Sequence, residues 1–302
     1  MIIKYQKKYS TWIDVSLPHK DEVDAIMREY SIDSVVGRDL LHPTPKPKVV
    51  ATNDKIYTVV HIPVFKNSHA RGATSQEIDF VIGRKVLISV RYDTIDALYK
   101  YTKEIEVNEL LDREDGGNHT FVDIMIEIYK SLFDELSFIE DRLSEIEKRI
   151  FRGEEKQMVE RISEAGRDLL NFRRIIEPHG DMLHSLRLMG VDVLGKKFNG
   201  EMDALVDEWE RLLKNLDNHR NFLAELRETN NSLLSTKQNE IMKILTIMAF
   251  VTFPLSLIAA IFGMNTDNLP IVGYPNDFWI VMGIMGSATA IMFGYFRHKK
   301  WL

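Results

Sequence analysis

Ile244 to Asn265 reads ILTIMAFVTFPLSLIAAIFGMN, and the reading of this stretch decides how the rest of the chain must be arranged. About nineteen successive residues carry no formal charge, and a helix of that length, at ~1.5 Å per residue, reaches roughly across the hydrocarbon core of a bilayer. It reads as a membrane span. The stretch ends in Gly263-Met264-Asn265, a carboxamide after a helix-stopping glycine, where the chain would leave the lipid. A polar group placed there is unfavourable unless it lines water or binds something.

Downstream, the short segment 266–277 separates this span from a second uncharged one, 278–296. Lys243 precedes the first span, and Arg297, His298, Lys299 and Lys300 open the basic tail 297–302, whereas the intervening loop has no Lys or Arg. The positive-inside bias therefore places both termini in the cytosol and the loop outside, as for a multi-pass protein of the cell (inner) membrane. Neither span contains Asp, Glu, Lys, Arg or His, so an intramembrane proton relay would lack its usual groups.

Upstream, a helical pattern starts near Glu201 and meets no stop before Gly263. Met202, Leu205, Trp209, Leu212, Leu216, Leu223, Leu226 and Leu233 keep a heptad register, with His219 and Asn230 as polar interruptions. Unbroken, this helix over 201–265, including the span at about 244–262, is roughly 90 Å long. Its first half must stand in the cytosol. Residues 116–200 read as an antiparallel helical arm. Met125, Ile128, Leu132, Leu136, Ile139, Leu143, Ile146 and Ile150 form one stripe, Gly153 ends it, and Val159, Ile162, Leu169 and Ile176 mark a returning helix that Pro178 interrupts. His179 and His184 flank Asp181 beside that proline, where the spacing suggests an exposed loop rather than a metal site.

Residues 1–115 read as a cytosolic α/β domain. Tyr9 to Val15 suits a strand, and Leu17-Pro18-His19-Lys20-Asp21-Glu22 opens a helix with proline and acids in its first turn. Hairpins are expected around Asn53-Asp54 and Gly83-Arg84, while Pro43, Pro45 and Pro47 keep the segment before the first hairpin extended.

The chain's 302 residues are 45% hydrophobic, so composition alone would not reveal the spans. The absence of cysteine excludes disulfides, thiolate zinc sites and cysteine nucleophiles. A net charge of -6 argues against a nucleic-acid partner and suits cations. No signal peptide is visible, because Met1-Ile2-Ile3-Lys4-Tyr5 turns polar at once. No HExxH, phosphate loop, nucleophile elbow or Rossmann fingerprint is present, so the reading is not of an enzyme.

Phe262-Gly263-Met264-Asn265 at the end of the first of two C-terminal spans, with the tail Phe296-Arg297-His298-Lys299-Lys300-Trp301-Leu302, resembles the CorA family of divalent-cation channels. The resemblance extends to the α/β domain, the helical arm and the long helix. It implies a funnel-shaped homopentamer in the lipid bilayer, with five first spans lining a pore and Gly263, Met264 and Asn265 forming the outer ion filter. Five carboxamides suit Mg²⁺, which keeps its waters, because amide oxygens accept from that shell without a deep electrostatic trap. No cofactor is implied; Mg²⁺ would be substrate and regulatory ligand.

Stepping back from Asn265 by three and four residues gives Ala260, Ser256, Phe253, Ala249, Leu245, Met242 and Asn239 as a pore-lining face. By position in the family, Met242 and Leu245 fall on the hydrophobic gate and Asn239 on an inner amide ring, with Glu228 a candidate acidic ring beyond. Each has a plain rival: packing for Met242 and Leu245, a bond back to the helix for Ser256, a solvated face for Glu228. Two departures stand out. Phe262 replaces the family's commoner tyrosine, and Thr266-Asp267-Asn268-Leu269-Pro270 is less acidic than many outer loops, leaving Asp267 and Asp277 to attract cations. The second departure keeps Zn²⁺, Co²⁺ or Ni²⁺ transport, including a proton-coupled form, open as an alternative. A membrane-anchored coiled-coil scaffold is the alternative from another class.

From Glu201 to Glu240 nine acids face five bases. Bundled copies of this helix would crowd acids, so bridging by cytosolic Mg²⁺ could hold a pore shut. Asp203 and Asp207, one turn apart, are the candidate regulatory metal ligands, against the rival of an ordinary charged surface.

Overall fold

Short apolar strands, the central ones buried on both faces, build one mixed six-stranded sheet in the order β1-β2-β6-β5-β4-β3. The strands are β1 (Ile2–Gln6), β2 (Thr11–Ser16), β3 (Lys48–Thr52), β4 (Lys55–Pro63), β5 (Ser75–Gly83) and β6 (Val86–Arg91). Only β2 and β6 run parallel, with Ile13 opposite Ile88; the other pairs are antiparallel. This computed structural model describes the chain except residues 7–9, 53, 65–74, 109–115, 266–268, 274, 300 and 302, and the side chains of 104–108. Tyr9, Asn53, Thr266, Asp267, Asn268, Lys300 and Leu302, named above, lie outside the described residues.

One face of the sheet packs against α1 (Lys20–Tyr30) and α2 (Ser34–Asp39), where Val23, Ile26, Val36 and Leu40 meet Ile13, Val15, Tyr57, Val81 and Ile88. Glu22 closes a capping box on His19, so the helix starts at Lys20 with Asp21 and Glu22 in its first turn and Pro18 just before it. The opposite face carries Trp12 and Phe80. Phe80 meets Phe121 edge-on at 5.1 Å, and Trp12 lies 5.6 Å from the Tyr101 ring of α3 (Asp96–Asn108). The Trp12 indole donates to Ser89, which donates to Asp14, itself paired with Arg91, so the buried carboxylate is compensated.

Phe121 belongs to α4 (Gly117–Phe151), whose expected apolar stripe from Met125 to Ile150 is buried throughout. Gly153, at φ 90, makes the left-handed turn into α5 (Glu155–Ile176), which returns antiparallel with Arg142 on Asp168 at 2.8 Å. Val159 is half exposed rather than part of the buried stripe. Met158, Ile162, Ala165, Leu169 and Phe172 form it, because a 3.6-residue period places 158 and not 159 above 162. Pro178 separates α5 from α6 (His179–Val193), and Gly195, at φ 102, separates α6 from α7 (Lys196–Phe262). Helix α7 thus starts five residues before Glu201. Met202, Leu205, Leu212, Leu216, His219, Leu223, Leu226 and Asn230 are buried along it.

His179 is not in an exposed loop. It is fully buried near the start of α6, where its Nε2 lies 2.8 Å from the His61 carbonyl and its Nδ1 3.0 Å from the Tyr129 hydroxyl. These partners fix the tautomer: Nε2–H donates to the carbonyl and Nδ1 accepts from the phenol. Burial pushes the imidazole down to about 4. Between that value and the ordinary 6.5 the unfolded chain binds a proton and the folded one does not. Stability is therefore intact above about pH 6.5 and falls by ~1.4 kcal/mol per unit on acidification towards 4. His179→Phe should remove this contribution to acid sensitivity while lowering neutral stability by about 2 to 4 kcal/mol, since a phenol and a carbonyl lose their partner. Denaturant unfolding at a series of pH values checks both effects.

The chain forms two compact units, Met1–Arg227 and Glu228–Leu302, with α7 contributing to each. The second also holds α8 (Asp277–His298). The fold is thus an α/β domain with long helices and two C-terminal apolar helices.

Candidate functional site

Two helices are long and apolar enough to cross a membrane, α7 in its C-terminal part and α8. Within the second unit they pack through Ile247, Val251 and Leu255 against Met292 and Phe296. Trp301 stacks on Phe296 at 6.0 Å and donates its amide to the Phe296 carbonyl, which folds the tail back over the end of α8. Lys243 on α7 and Arg297, His298 and Lys299 at the end of α8 accordingly flank one end of this pair.

At about 100° per residue the α8-covered residues of α7 centre on one direction, and Met242, Leu245, Ala249, Phe253, Ser256 and Ala260 centre roughly 160° away. The expected pore face is therefore the side of α7 that α8 leaves uncovered. Phe253 is 74% exposed, Met242 55% and Leu245 53%, so packing within the chain does not account for them. Asn239 and Glu228, further towards the start of the helix, are exposed as well.

The hydroxyls on α7 divide by role. Thr246 and Thr252 donate back to the Met242 and Met248 carbonyls, as hydroxyls in apolar helices commonly do. Ser256 makes no such bond among the described residues, which leaves its hydroxyl available on the uncovered face. Pro254 sits inside the helix without breaking it.

Helix α7 stops at Phe262, after which Gly263 donates to the Ala259 carbonyl at 2.9 Å and Met264 to Ile261 at 3.3 Å. Gly263 does not take the left-handed conformation that its helix-stopping position suggests. Its constraint is space: a Cβ there would stand 3.1 Å from the Ala259 oxygen. Met264 and Asn265 are exposed at this end, and the Asn265 carboxamide has no side-chain hydrogen bond among the described residues. Asp277, the first residue of α8, is committed to backbone, accepting from the Gly273 and Phe278 amides at 3.2 and 2.7 Å. That role was not legible in the sequence, because Asn276 enters the helix at the unusual φ of 76.

Asp203 and Asp207 are not brought together on a shared partner. Asp203 pairs with Arg187 of α6 at 3.0 Å, Asp207 is exposed, and among the described residues no group of three or more His, Asp or Glu could hold a metal.

Comparison with known proteins agrees with this architecture. The family described as CorA-like Mg²⁺ transporter protein matches residues 7–298. The cobalt/magnesium transport protein CorA of Thermotoga maritima is 25% identical, over 97% of this chain and 83% of that protein. The protein of the same name from Methanocaldococcus jannaschii is also 25% identical, over 99% of this chain and 94% of that one. The complete structure of the CorA magnesium transporter from Methanocaldococcus jannaschii superposes with a TM-score of 0.85 at 24% identity, covering 99% of this chain and 94% of that one. With the two apolar helices, the uncovered face of α7 and the Gly263-Met264-Asn265 end in place, a match over nearly the whole length assigns the chain to the CorA-like Mg²⁺ transporter family.

Proposed function

We propose that the protein conducts hydrated divalent cations, Mg²⁺ first and Co²⁺ with it, through a homopentameric membrane channel with both termini in the cytosol. The observation that carries this reading is the division of α7 into two faces. Ile247, Val251 and Leu255 bind α8, while the opposite face runs from an amide through bulky apolar residues to a free hydroxyl and ends at an exposed carboxamide. A tether would need the first face only. Met242 and Leu245 then act as a hydrophobic constriction that closes by dewetting, and the Asn265 ring accepts hydrogen bonds from the ion's water shell. Membership in the family and the cobalt/magnesium transport for which its relatives are named support the choice of cargo.

Passive flow down the membrane potential is the mechanism proposed, since neither span carries Asp, Glu, Lys, Arg or His. Cytosolic Mg²⁺ closes the channel by bridging acids on the N-terminal half of α7. Asp203 must leave Arg187 to take part.

Flux of Mg²⁺, Co²⁺, Ni²⁺ and Zn²⁺ into proteoliposomes at fixed potential, with and without a pH gradient, tests the reading. Mg²⁺ and Co²⁺ are expected to enter without a pH gradient, and internal Mg²⁺ to slow their entry. No cation entry would leave a membrane-anchored scaffold, and entry that requires a pH gradient would replace the channel with a coupled carrier. Full retention of inhibition in Asp203→Ala/Asp207→Ala would remove those two residues from regulation.

A further inference from the structure

Within the first unit the segment 40–47 lies between α2 and β3 and contains Pro43, Pro45 and Pro47. Proline has no amide hydrogen, so between 43 and 47 only Thr44 and Lys46 can donate from the backbone. Thr44 takes nearly all of the anchoring. Its amide donates to both oxygens of Glu77 at 2.8 and 2.9 Å, its hydroxyl lies 3.2 Å from Glu77 Oε1, and its carbonyl accepts from His61 Nε2 at 2.9 Å. Glu77 also pairs with His61 at 3.2 Å. One carboxylate therefore clasps the proline segment to the sheet.

Two residues along the same strand, hence on the same face, stands Asp79, with no exposure to solvent. Its Oδ2 accepts from Tyr57 at 3.2 Å and Tyr92 at 3.1 Å, while its Oδ1 has no hydrogen-bond partner; His61 Nδ1 is likewise buried and unpartnered. The Tyr92 hydroxyl also reaches the Asp39 carbonyl at the root of the proline segment, 3.2 Å away. Other elements add little charge. Lys48 of β3 is neutralised by Asp39 at 2.7 Å, Val90 of β6 is the register partner of Asp79, and α1 contributes Val23, Ile26 and Met27 to this core. Through Tyr92 and through the neighbouring Glu77, Asp79 is thus linked to the proline segment, at its root Asp39 and at Thr44.

We propose that Asp79 and His61, beside the Glu77 carboxylate, form a proton-binding site that holds the proline segment 43–47 on the sheet when protonated and releases it when the protons leave. The direction follows from the surroundings. Burial, then the charge of Glu77, pushes the Asp79 carboxyl up to about 8, and the hydrogen bond that His61 donates to Glu77 raises the imidazole. Folded-state values above the unfolded ones mean that protons bind preferentially to the clasped form, so the clasp is firmest on the acid side and weakens as pH rises past neutrality.

Hydrogen exchange of the full-length protein in lipid nanodiscs, read at the Thr44 amide from about pH 6 to about pH 9 and corrected for the intrinsic rate, tests this. Protection is expected to fall at least tenfold across that range in the unsubstituted protein and to stay level in Asp79→Asn, with α4 amides level in both. Infrared difference spectra between the same limits supply a measurement that needs no variant: a buried protonated carboxyl should be lost at the alkaline end. Level protection in the unsubstituted protein, an equal fall in Asp79→Asn, or no such carboxyl band overturns the proposal.

Discussion

Asn265→Ala is expected to reduce Mg²⁺ entry into proteoliposomes by at least about tenfold, equivalent to ~1.4 kcal/mol of lost stabilisation of the passing ion. In the proposed pore the carboxamide oxygen is the group that receives the water shell, and alanine leaves only a methyl group there. The flanking Gly263 and Met264 amides are already engaged by the Ala259 and Ile261 carbonyls, so these two amides offer no free donor in its place. Asn265→Asp separates geometry from charge. A carboxylate ring still accepts from water but holds a divalent ion too strongly, so entry should fall while block by external cations tightens. The side chain is exposed and without a hydrogen-bond partner among the described residues, so neither substitution should change the unfolding free energy by more than about 0.5 kcal/mol. Unchanged flux in Asn265→Ala with normal assembly would remove the carboxamide from the filter.

The largest loss of stability is expected at Gly117, the first residue of α4. Its amide donates to the Arg84 carbonyl at 3.1 Å, which seats the helix start under the β5–β6 turn. A Cβ there would lie 2.6 Å from both the carbonyl carbon and oxygen of Val86 and 2.8 Å from the Gly83 oxygen. These are backbone atoms of a paired hairpin and cannot swing aside. Gly37 offers a contrast, since an added Cβ there meets the flexible thioether of Met27. Gly117→Ala should therefore cost about 3 kcal/mol or more. Gly283→Ala, on α8 with nothing within 4 Å, should be neutral or slightly stabilising. Chemical unfolding of the detergent-solubilised protein with a probe in the first unit measures the difference.

How far the sequence could be read follows from the length scale of each signal. The spans and the uncovered face of α7 were legible because a bilayer demands nearly twenty apolar residues and a helix repeats every 3.6. The long stripe of α4 was legible for the second reason. Elements whose pattern is short or interrupted by polar groups were not. Strand β1 is half-exposed and carries Lys4 and Gln6 among its apolar residues, and β5 begins at Ser75, three residues before the apolar run that marks it, because Glu77 and Asp79 face inward. Nothing local distinguishes a buried strand acid from a solvated one. Its clasp partner Thr44 is 33 residues away. His179 was not legible for a different reason: Pro178 interrupts the helical pattern as expected but also starts α6, a place that suits proline, so the next residue enters a buried helix and not a loop. Asp203 met Arg187 only through the packing of α6 on α7, which no spacing within one helix reveals.

Pro254 has a mechanical consequence. It supplies no amide hydrogen, so the Phe250 carbonyl one turn before it lacks its usual donor and the ladder of α7 is short of one rung. An elastic rod bends most easily where its cross-bracing is missing. In α7 that point lies between Met242 and Leu245 on one side and Ser256 and Asn265 on the other. In the proposed pore, flexure generated on the cytosolic side would be absorbed before it reaches the outer end. The proposed constriction could then change diameter over many cycles while the proposed carboxamide ring keeps its spacing, the two ends of one helix serving as a moving part and a fixed gauge.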